Sequence, residues 1–547
     1  MANAQGSFLF ETKTQSGATI QETKIEEVSK KKEVAKITDS QDSNEELDET
    51  AMKYAATITS EDMKRHLSIL ASDEFGGRGT GEAGQQKAAE YITEFYQKWN
   101  LPTIGKGNGY YHPVPLIQQG WSDNVTIEVK KKQFKFMDDF YAFPRYTSDT
   151  HLKNEKIVFL GYGISDPFYD DYEGMKVKGK TLMVLSGEPV NKEGMFYVSK
   201  MDVPSEWSTN ARKKAQEAKK RGVNTLLVVV KDYKENADYY TNWVKGTSIK
   251  LQSKVKKKSN KMNTLFISPQ VANELLKKNK MKIEDLETTI SKTGKPLSFK
   301  VKNKATIDIE RYADLIEANN LLGFVEGSDL KEEVIVVTAH YDHIGTIGKD
   351  INNGADDNGS GTTTVLEMVE AMVQAKKEGN GPRRSILFMH VTAEEKGLLG
   401  SEYYTDTDPI FPLENTVACI NTDMVGRKDD KHDDYNYVYV IGSDKISTEL
   451  HEINERMNKL YTKMDLDYTY NDDNDPNRFY YRSDHYNFAE KGIPSVFFFN
   501  GTHADYHKPT DTVEKINFDA MQTRGRLIFH TLWQLANRDK RIEADKL

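Results

Sequence analysis

The chain has 547 residues, which is enough for two or three domains that each bury a sizeable core. Its formal net charge of −9 argues against a nucleic-acid-binding protein, and no apolar run approaches the ~20 residues that a membrane-spanning helix needs. The single cysteine, Cys419, lies in the apolar run TVACI, cannot form an internal disulfide and is interpreted as a buried residue.

The N-terminal segment predicts a disordered tail over residues 1–52, because it is rich in Lys, Glu, Gln, Ser and Thr and poor in aromatic residues. The opening MANAQGSFLF lacks the charged and apolar regions of a secretory signal, which predicts a cytoplasmic protein if the chain is complete as given. Ala-Asn-Ala-Gln, however, looks like the end of a cleaved signal peptide behind an added Met1. On this motif we expect export to the periplasm or the cell exterior.

Regular structure is expected from about residue 55. Thr59 and Asp62 can cap a helix that carries Met63, Leu67 and Leu70. A second helix has these apolar residues on one face: Ala88, Ile92, Phe95, Tyr96 and Trp99. The stretch GGRGTGE between the two helices predicts a linking loop.

From about residue 125 to 300 the pattern changes to short strands, namely EKIVFLGYG, KTLMVLSG and NTLLVVV, with a helix ARKKAQEAKK between the last two. The Lys-rich run SIKLQSKVKKKSNK at 248–261 is interpreted as a solvated loop, because an isolated charge run usually faces water. The acidic NDDNDPN at 471–477 is interpreted as a turn, because its spacing is not that of an EF-hand loop.

Five residues of the types that bind zinc stand in the second half of the chain, each in or beside a turn after a strand-like run: His340, Asp357, Glu395, Asp423 and His507. A single such residue is usually an ordinary surface or hydrogen-bonding group. The carboxyl ends of strands in an open α/β sheet converge, however, so the five together predict one site. Two imidazoles and three carboxylates suit a pair of zinc ions with one bridging carboxylate, as in a hydrolase.

The residues around these five support the same interpretation. Asp342 could accept a hydrogen bond from the ring nitrogen that a metal leaves free on His340. GADDNGSG predicts a loop entering a helix, and a phosphate-binding role for it is weak because no GK[ST] or GxGxxG pattern is present. Glu394 and Glu395 end a strand-like run, where adjacent side chains point to opposite sides, so one can bind metal while the other accepts a proton.

Six blocks of this half resemble the dizinc aminopeptidases, a family that also includes glutamate carboxypeptidase II and, more distantly, glutaminyl cyclases. The blocks are AHYDH (339–343), GADDNGSG (354–361), TAEEKGLLGS (392–401), NTDMVG (421–426), RSDHYNFAEKGIPSVFF (482–498) and YHKPTDT (506–512). SILASDEFGGRGTGEAGQQKAAEYI (68–92) precedes them in matching order. The segment GYGISDPFYDDYEGMKVKGKTLMVLSG resembles the protease-associated (PA) domain that is inserted in this family.

By this resemblance His340 and Asp423 would hold one zinc ion, and Glu395 and His507 would hold the other. Asp357 would bridge the two ions, because the family's bridging residue stands three positions before the Ser-Gly of its block, which selects it over its neighbour.

The resemblance also implies two catalytic roles. Glu394 would be the general base, and Tyr506 matches a tyrosine that donates to the developing oxyanion in some members. No predicted ligand position is substituted, unlike in relatives that keep the fold and lose catalysis.

The implied fold is α/β: a mixed-sheet zinc-exopeptidase domain of the phosphorylase/hydrolase-like kind with helices on both faces. It would comprise residues 53–124 and 303–547, with a smaller α/β PA-like domain inserted at 125–302 that restricts access to the site. The implied activity is that of an aminopeptidase acting on peptides with water activated by two zinc ions. A glutamate-carboxypeptidase-type enzyme is the nearest alternative, followed by a glutaminyl cyclase with one zinc ion and a catalytically silent binding protein.

Overall fold

The computed structural model describes residues 47–144, 147–255 and 262–547. Its helices are α1 (Glu49–Ala55), α2 (Ser60–Leu70), α3 (Ala83–Lys98), α4 (Glu206–Thr209), α5 (Ala211–Lys220), α6 (Tyr233–Lys245), α7 (Pro269–Leu276), α8 (Ile283–Thr293), α9 (Gly361–Lys377), α10 (Leu399–Asp406), α11 (Thr448–Met457), α12 (His485–Ala489) and α13 (Phe518–Asn537).

The strands up to residue 270 are β1 (Tyr111–Pro113), β2 (Leu116–Trp121), β3 (Thr126–Val129), β4 (Lys132–Lys135), β5 (Phe140–Tyr141), β6 (Thr150–Leu160), β7 (Ser165–Asp166), β8 (Tyr169–Asp170), β9 (Thr181–Leu185), β10 (Thr225–Val229), β11 (Ser248–Leu251) and β12 (Asn263–Ile267). Those that follow are β13 (Ser298–Ile309), β14 (Arg311–Ile316), β15 (Asn319–Val325), β16 (Leu330–His340), β17 (Gly345–Ile347), β18 (Asp350–Asn352), β19 (Arg384–Val391), β20 (Thr416–Thr422), β21 (Tyr437–Ile441), β22 (Asp465–Asp467) and β23 (Ser495–Phe499).

The sheet that carries the predicted site has eight strands in the order β1-β15-β19-β16-β20-β23-β21-β22. Strands β19, β16, β20 and β23 run parallel, and antiparallel pairs toward both edges make the sheet mixed. Helices α1, α2, α3, α9, α11 and α13 pack their apolar side chains on one face, whereas α10 and α12 pack on the other. A mixed sheet with helices on both faces confirms the predicted α/β fold.

The second large sheet also has eight strands, in the order β4-β3-β13-β6-β9-β10-β12-β5. Helices α4, α7 and α8 cover one face, and α5 and α6 cover the other. The three predicted strands correspond to β6, β9 and β10, and the predicted helix between the last two is α5. The predicted boundary at residue 302 falls inside β13, where buried and solvent-facing residues continue to alternate as far as Ile309.

A three-stranded sheet of order β11-β2-β14 lies where the chain passes between the two large sheets. The prediction of a solvated loop is wrong for the first residues of the Lys-rich run, because Ser248–Leu251 forms β11 and pairs with β2. The reason is that Leu251 is buried in an apolar cluster and Ile249 packs against it. Residues 256–261 of the run lie outside the described residues.

The predicted tail is wrong at its C-terminal end, because α1 begins at Glu49. Asp48 caps this helix by accepting a hydrogen bond from the Ala51 amide at 2.9 Å, and it also accepts one from Trp533 Nε1 of α13 at 2.9 Å. The buried Ala51 and Tyr54 then anchor α1 in the core. The Ala-Asn-Ala-Gln motif, on which the expectation of export rests, lies outside the described residues.

Other local predictions are confirmed. Thr59 caps α2 by accepting a hydrogen bond from the Asp62 amide, and the GADDNGSG loop leads into α9. Cys419 is buried and free. Within the described ranges, every helix is too short or too polar to cross a bilayer.

Candidate metal centre

The five residues predicted as zinc ligands come together at one edge of the first sheet. Strand β16 ends at His340, and β20 ends one residue before Asp423. The short turn that contains Glu395 follows β19. These three strands are parallel, so their carboxyl ends meet at the same edge. Asp357 precedes α9, and His507 lies in the segment after β23.

Asp357 stands in the middle of this cluster. Its Oδ1 lies 3.4 Å from His340 Nε2, and its Oδ2 lies 3.0 Å from His507 Nε2. Asp423 Oδ1 is 3.3 Å from the same His340 atom, and Glu395 Oε2 is 3.5 Å from the same His507 atom. The five side chains therefore form one continuous group in which the two oxygens of one carboxylate face different histidines.

His343 also belongs to the cluster, and the sequence prediction missed it. Its Nδ1 lies 2.8 Å from Glu395 Oε1 and 3.8 Å from Asp357 Oδ2. Its sequence signal is its position in AHYDH, three residues after His340, which by itself does not separate a ligand from a neighbour that orients one. In the structure, the fully buried His343 pairs with Glu395.

Three buried polar atoms that face one another in the cluster have no hydrogen bond of acceptable geometry: His340 Nε2, Asp357 Oδ2 and His507 Nε2. Buried polar atoms are normally hydrogen-bonded, so unpaired ones that converge on one place need a partner. Imidazole nitrogens and carboxylate oxygens are the ligand atoms that zinc takes in proteins. The residues present therefore fit a metal centre.

The cluster is also electrostatically strained without a cation. Burial opposes charge on His340, yet Asp423 and Glu394 raise its pKa well above the ordinary value. Burial favours the neutral form of Asp357, but the nearby histidines, His343 first, hold its pKa below the ordinary range. Burial raises the pKa of Glu394 well above its ordinary value. A divalent cation would stabilise this crowded set of carboxylates.

The adjacent glutamates lie in a turn and not, as predicted, at an extended strand end. Strand β19 ends at Val391, and Glu394–Lys396 forms a short 3₁₀ turn. The residue before the turn, Ala393, has φ 56°, and Leu398 after it has φ 60°. Left-handed backbone costs a non-glycine residue roughly 1–2 kcal/mol, so surrounding contacts must hold this turn in place.

The turn nevertheless sends the two carboxylates in different directions. Glu394 Oε2 lies 3.8 Å from His340 Nε2, on the Asp423 side of the cluster. Glu395 faces His343 and His507 on the other side. The two carboxylates therefore face different parts of the cluster, and each belongs to a group of residues that could hold a metal ion.

Asp342 supports the cluster by other contacts than the predicted one. His340 Nδ1 lies 3.0 Å from the backbone carbonyl oxygen of Asp342, whereas the carboxylate Oδ1 is 3.8 Å away. The carboxylate accepts hydrogen bonds from the Thr80 hydroxyl at 2.6 Å and from the Glu394 amide at 3.1 Å. A carbonyl oxygen can fix the imidazole tautomer as a carboxylate would. Asp342 therefore orients His340 through its backbone and the glutamate turn through its side chain.

The loop that carries Asp357 is fixed by hydrogen bonds to Asp511, a residue distant in sequence. Asp511 Oδ2 accepts hydrogen bonds from the amides of Asp356 at 3.0 Å and Asp357 at 3.2 Å. Asp356 itself points away from the cluster, because its Oδ1 accepts from the Gly426 amide at 2.7 Å and its Oδ2 from Asn500 at 3.0 Å. The structure thus places Asp357, and not its neighbour, among the other predicted ligands.

Asp423 is oriented by a chain of polar side chains that the sequence prediction missed. Ser483 Oγ donates to Asp423 Oδ2 at 2.7 Å and accepts from Asn421 Nδ2 at 2.8 Å. Asn421 Oδ1 in turn accepts from the Thr338 hydroxyl at 2.6 Å. Ser483 lies in the RSDH part of a matching block, but only the fold shows which carboxylate it contacts.

A small pocket opens beside the cluster. Four residues of the cluster line it, namely Asp357, Glu394, Asp423 and His507. The rest of the lining consists of Met424, Phe479, Arg482, Phe497, Phe499 and Tyr506. The Tyr506 hydroxyl accepts a hydrogen bond from Arg482 Nη2 at 3.3 Å, and its ring stacks on His507 with the centroids 3.9 Å apart. The three phenylalanine rings give this pocket an apolar lining next to the predicted metal ligands.

Histidines and carboxylates of the types that bind metal thus converge at the carboxyl ends of strands in a mixed α/β sheet. Residues 320–532 match the sequence model of peptidase family M28. The match confirms the resemblance drawn from the sequence blocks.

Proteins similar to this chain include several that are named aminopeptidases. Aminopeptidase YwaD of Bacillus subtilis is 28% identical over 252 residues, which cover 45% of this chain and 50% of YwaD. A probable leucine aminopeptidase of Arthroderma benhamiae is 32% identical over 214 residues, which cover 38% of this chain and 55% of that protein. The chain thus spans about half the length of the curated relatives it matches. Among solved structures, an aminopeptidase from Aneurinibacillus sp. strain AM-1 is 17% identical with a TM-score of 0.49, covering 90% of this chain and 98% of that one.

Proposed function

We propose that the protein is a metallo-aminopeptidase that removes N-terminal residues from peptides and uses two zinc ions. The M28 domain supports peptide hydrolysis, and the names of the similar proteins support action at the amino end. The single observation that carries the two-ion proposal is the placement of Asp357, whose two carboxylate oxygens face His340 and His507 separately.

Under this proposal His340 and Asp423 hold one ion, Glu395 and His507 hold the other, and Asp357 is shared. Each ion then has three protein ligands, which leaves a position for water or substrate as in catalytic zinc sites. When bound, zinc lowers the pKa of water and polarises the scissile carbonyl.

The remaining residues of the site move protons and orient groups. Glu394 takes a proton from the attacking water and delivers it to the leaving amine. Asp342 holds the Glu394 amide, and so fixes the position of this base. Tyr506 donates a hydrogen bond to the oxygen of the tetrahedral intermediate, and such donors are worth about 3 kcal/mol. Arg482 donates to the Tyr506 oxygen and keeps the phenol oriented.

A carboxypeptidase of the glutamate carboxypeptidase type is the second candidate, and Arg482 is the observation that favours it. This guanidinium lines the pocket and could pair with the free carboxylate of a peptide C-terminus. Against this, Arg482 already donates to Tyr506 and lies over the Phe479 ring, 4.7 Å from its centroid.

The experiment is a panel of aminoacyl reporters and carboxyl-terminal reporters, assayed with the zinc-loaded protein, after chelation and after zinc is restored. We expect turnover of apolar aminoacyl reporters that chelation abolishes and zinc restores. Turnover of carboxyl-terminal reporters alone would favour the carboxypeptidase, and formation of pyroglutamate from N-terminal glutamine would favour the cyclase. A fully zinc-loaded protein that turns over nothing would favour the binding protein.

A further inference from the structure

A strand of the inserted segment packs against the turn that carries the proposed general base. Leu251, the last residue of β11, is 2% exposed and shares an apolar cluster with Ala393 and Leu399, which flank the turn. Ile249 of the same strand packs against this cluster. Strand β11 also contacts both the Glu394–Lys396 turn and α10 directly. Contact between the insert and the catalytic part is therefore made at the base of the glutamate turn.

The backbone of this turn depends on its surroundings. Ala393 and Leu398 are both left-handed although neither is glycine. The turn is closed by hydrogen bonds from the Leu398 amide to the Glu394 carbonyl at 2.9 Å and from the Leu399 amide to the Ala393 carbonyl at 3.1 Å. Such a conformation persists when neighbouring contacts leave it no room to relax, and the Leu251 side chain is one of these contacts.

A salt bridge also joins the segment after β11 to the helix that follows the glutamate turn. Lys254, in the 3₁₀ turn after β11, pairs with Glu402 of α10. Glu402 is 17% exposed at its side chain, and α10 begins directly after the glutamate turn. The Gln252 amide donates to the Pro115 carbonyl at 2.8 Å, which fixes β11 to the chain that leads into β2. The insert thus reaches both ends of the glutamate turn, Ala393 through the shared apolar cluster and α10 through a salt bridge.

We propose that Leu251, supported by Lys254, is a positioning residue for the Glu394–Glu395 turn. The segment around β11 would then do more than cover the site, because catalysis and zinc binding would depend on it. This inference rests on the proposed function for its kinetic consequence, whereas its structural consequence holds in the metal-free protein.

The test compares Leu251→Ala with Leu182→Ala in the full-length protein. Leu182 is a fully buried leucine in β9, within a different cluster, so its truncation removes the same atoms without contacting the turn. Hydrogen–deuterium exchange is measured in the metal-free proteins. We expect Leu251→Ala to speed exchange of the amides between residues 393 and 400 at least tenfold. Leu182→Ala should speed exchange only within the second sheet.

Two further measurements, of zinc affinity and of steady-state kinetics, test the functional effect of moving the turn. Leu251→Ala should weaken zinc binding at least fivefold in competition with a chelator, because Glu395 lies in the displaced turn. In zinc-loaded protein it should lower kcat at least tenfold with less than a threefold change in KM, because the base is misplaced and the pocket is not. Leu251→Met, which restores the volume, should recover most of both losses.

Unchanged exchange at residues 393–400 and unchanged zinc affinity in folded Leu251→Ala protein would overturn the proposal. If that variant does not fold, Lys254→Glu replaces it, since this exposed side chain would then repel Glu402, and the same unchanged values would overturn the proposal. Failure of the proposed function has a different signature. The zinc-loaded wild type would then hydrolyse no peptide reporter while the exchange and zinc differences between variants persisted.

Discussion

At the scale of single residues, the adjacent glutamates differ because of what each one faces. Glu394 is 5% exposed and lies beside His340 and Asp423, and its amide is held by Asp342. Glu395 accepts from His343 at 2.8 Å and faces His507. Burial raises the pKa of Glu395, but the histidines around it outweigh this effect and lower the pKa to about 2. The side chain is therefore ionised and can bind a cation.

Substitution of each glutamate by glutamine should separate the two roles. Glu394→Gln should keep zinc near the wild-type content and lower kcat at least ~10²-fold, the lower end of general-base contributions, because an amide cannot take the proton. Glu395→Gln should chiefly lose zinc, because a neutral amide is a poor ligand. Metal analysis and steady-state kinetics on both variants check this, and equal zinc loss in the two would contradict the assignment.

A second residue-scale prediction concerns Asp357. Because its two oxygens face different histidines, Asp357→Asn should weaken binding of both zinc ions together, whereas Asp423→Asn should mainly affect one. Zinc titration of the metal-free proteins, followed by calorimetry, gives the number of sites. One tightly bound ion in fully active wild-type protein would reject the two-ion proposal.

At the scale of elements, Arg78 joins the loop after α2 to the loop that carries Asp357. It is 1% exposed and donates to the carbonyls of Leu70, Tyr341, Asn353 and Gly354. A buried guanidinium that satisfies several carbonyls fixes the segments to which they belong. These hydrogen bonds therefore anchor the segment that leads into the loop of the proposed bridging residue.

Arg78→Met should lower the free energy of unfolding by about 3–5 kcal/mol, because buried carbonyls lose their donor. It should also weaken zinc binding, because the Asp357 loop loosens. Urea unfolding and zinc titration measure the two effects. The control is Arg383→Met, which breaks ion pairs with the exposed Asp329 and Asp539 and should cost no more than ~1 kcal/mol. Equal losses in both variants would contradict the prediction.

The packing of α2 on α9 contains a buried pair of titratable groups. His66 Nε2 lies 3.6 Å from Glu367 Oε1, and both side chains are almost fully buried. Burial lowers the pKa of His66 to about 4, and burial with the nearby Asp62 raises the pKa of Glu367 to about 8. Both groups are therefore neutral in the folded protein over much of the range between these values.

This arrangement predicts a pH-dependent stability. The folded pKa of Glu367 is above the unfolded value of 4.5, so its contribution is fully present below pH 4.5 and is lost as the pH rises through about 8. Glu367→Gln should therefore raise the free energy of unfolding by ~1–3 kcal/mol at pH 8 and by less at pH 5. Melting temperatures at the two pH values measure this, with Glu90→Gln on the exposed face of α3 as control. A variant no more stable than the wild type at pH 8 would contradict the prediction.

At the scale of the whole molecule, the candidate metal centre joins segments from both halves of the chain. Thr80 reaches Asp342 across 262 sequence positions, and Asp511 holds the Asp357 loop across 154. β11 brings the inserted segment to the same place. A ligand that binds this centre should therefore stabilise the segments that meet there.

Removal of zinc should accordingly lower the melting temperature. A ligand that binds only the folded state adds about 2.7 kcal/mol at a free concentration of 100 Kd. Thermal unfolding with zinc and with chelator tests this. An unchanged melting temperature on chelation would show that the metal is not coupled to folding.

The sequence by itself determined the features that depend on local pattern. Thr59 and the apolar spacing after it specify α2, because capping and helical periodicity involve residues within a few positions of each other. The residues predicted as metal ligands follow strand-like runs. Neighbouring parallel strands end at the same edge of a sheet, so these residues are expected at one edge. The α/β class and the gathering of these residues at one edge were therefore predictable.

The tertiary structure decided the features that depend on residues far apart in the chain. His343 and Ser483 carry no distinctive local pattern, and their roles appear only when the fold sets them against Glu395 and Asp423. The left-handed turn and the strand at Leu251 follow from packing between segments far apart in sequence, which overrides the charge pattern of the lysine run. Local propensity amounts to less than ~1 kcal/mol per residue, so burial of apolar side chains, worth roughly 1.5–3 kcal/mol each, decides such positions.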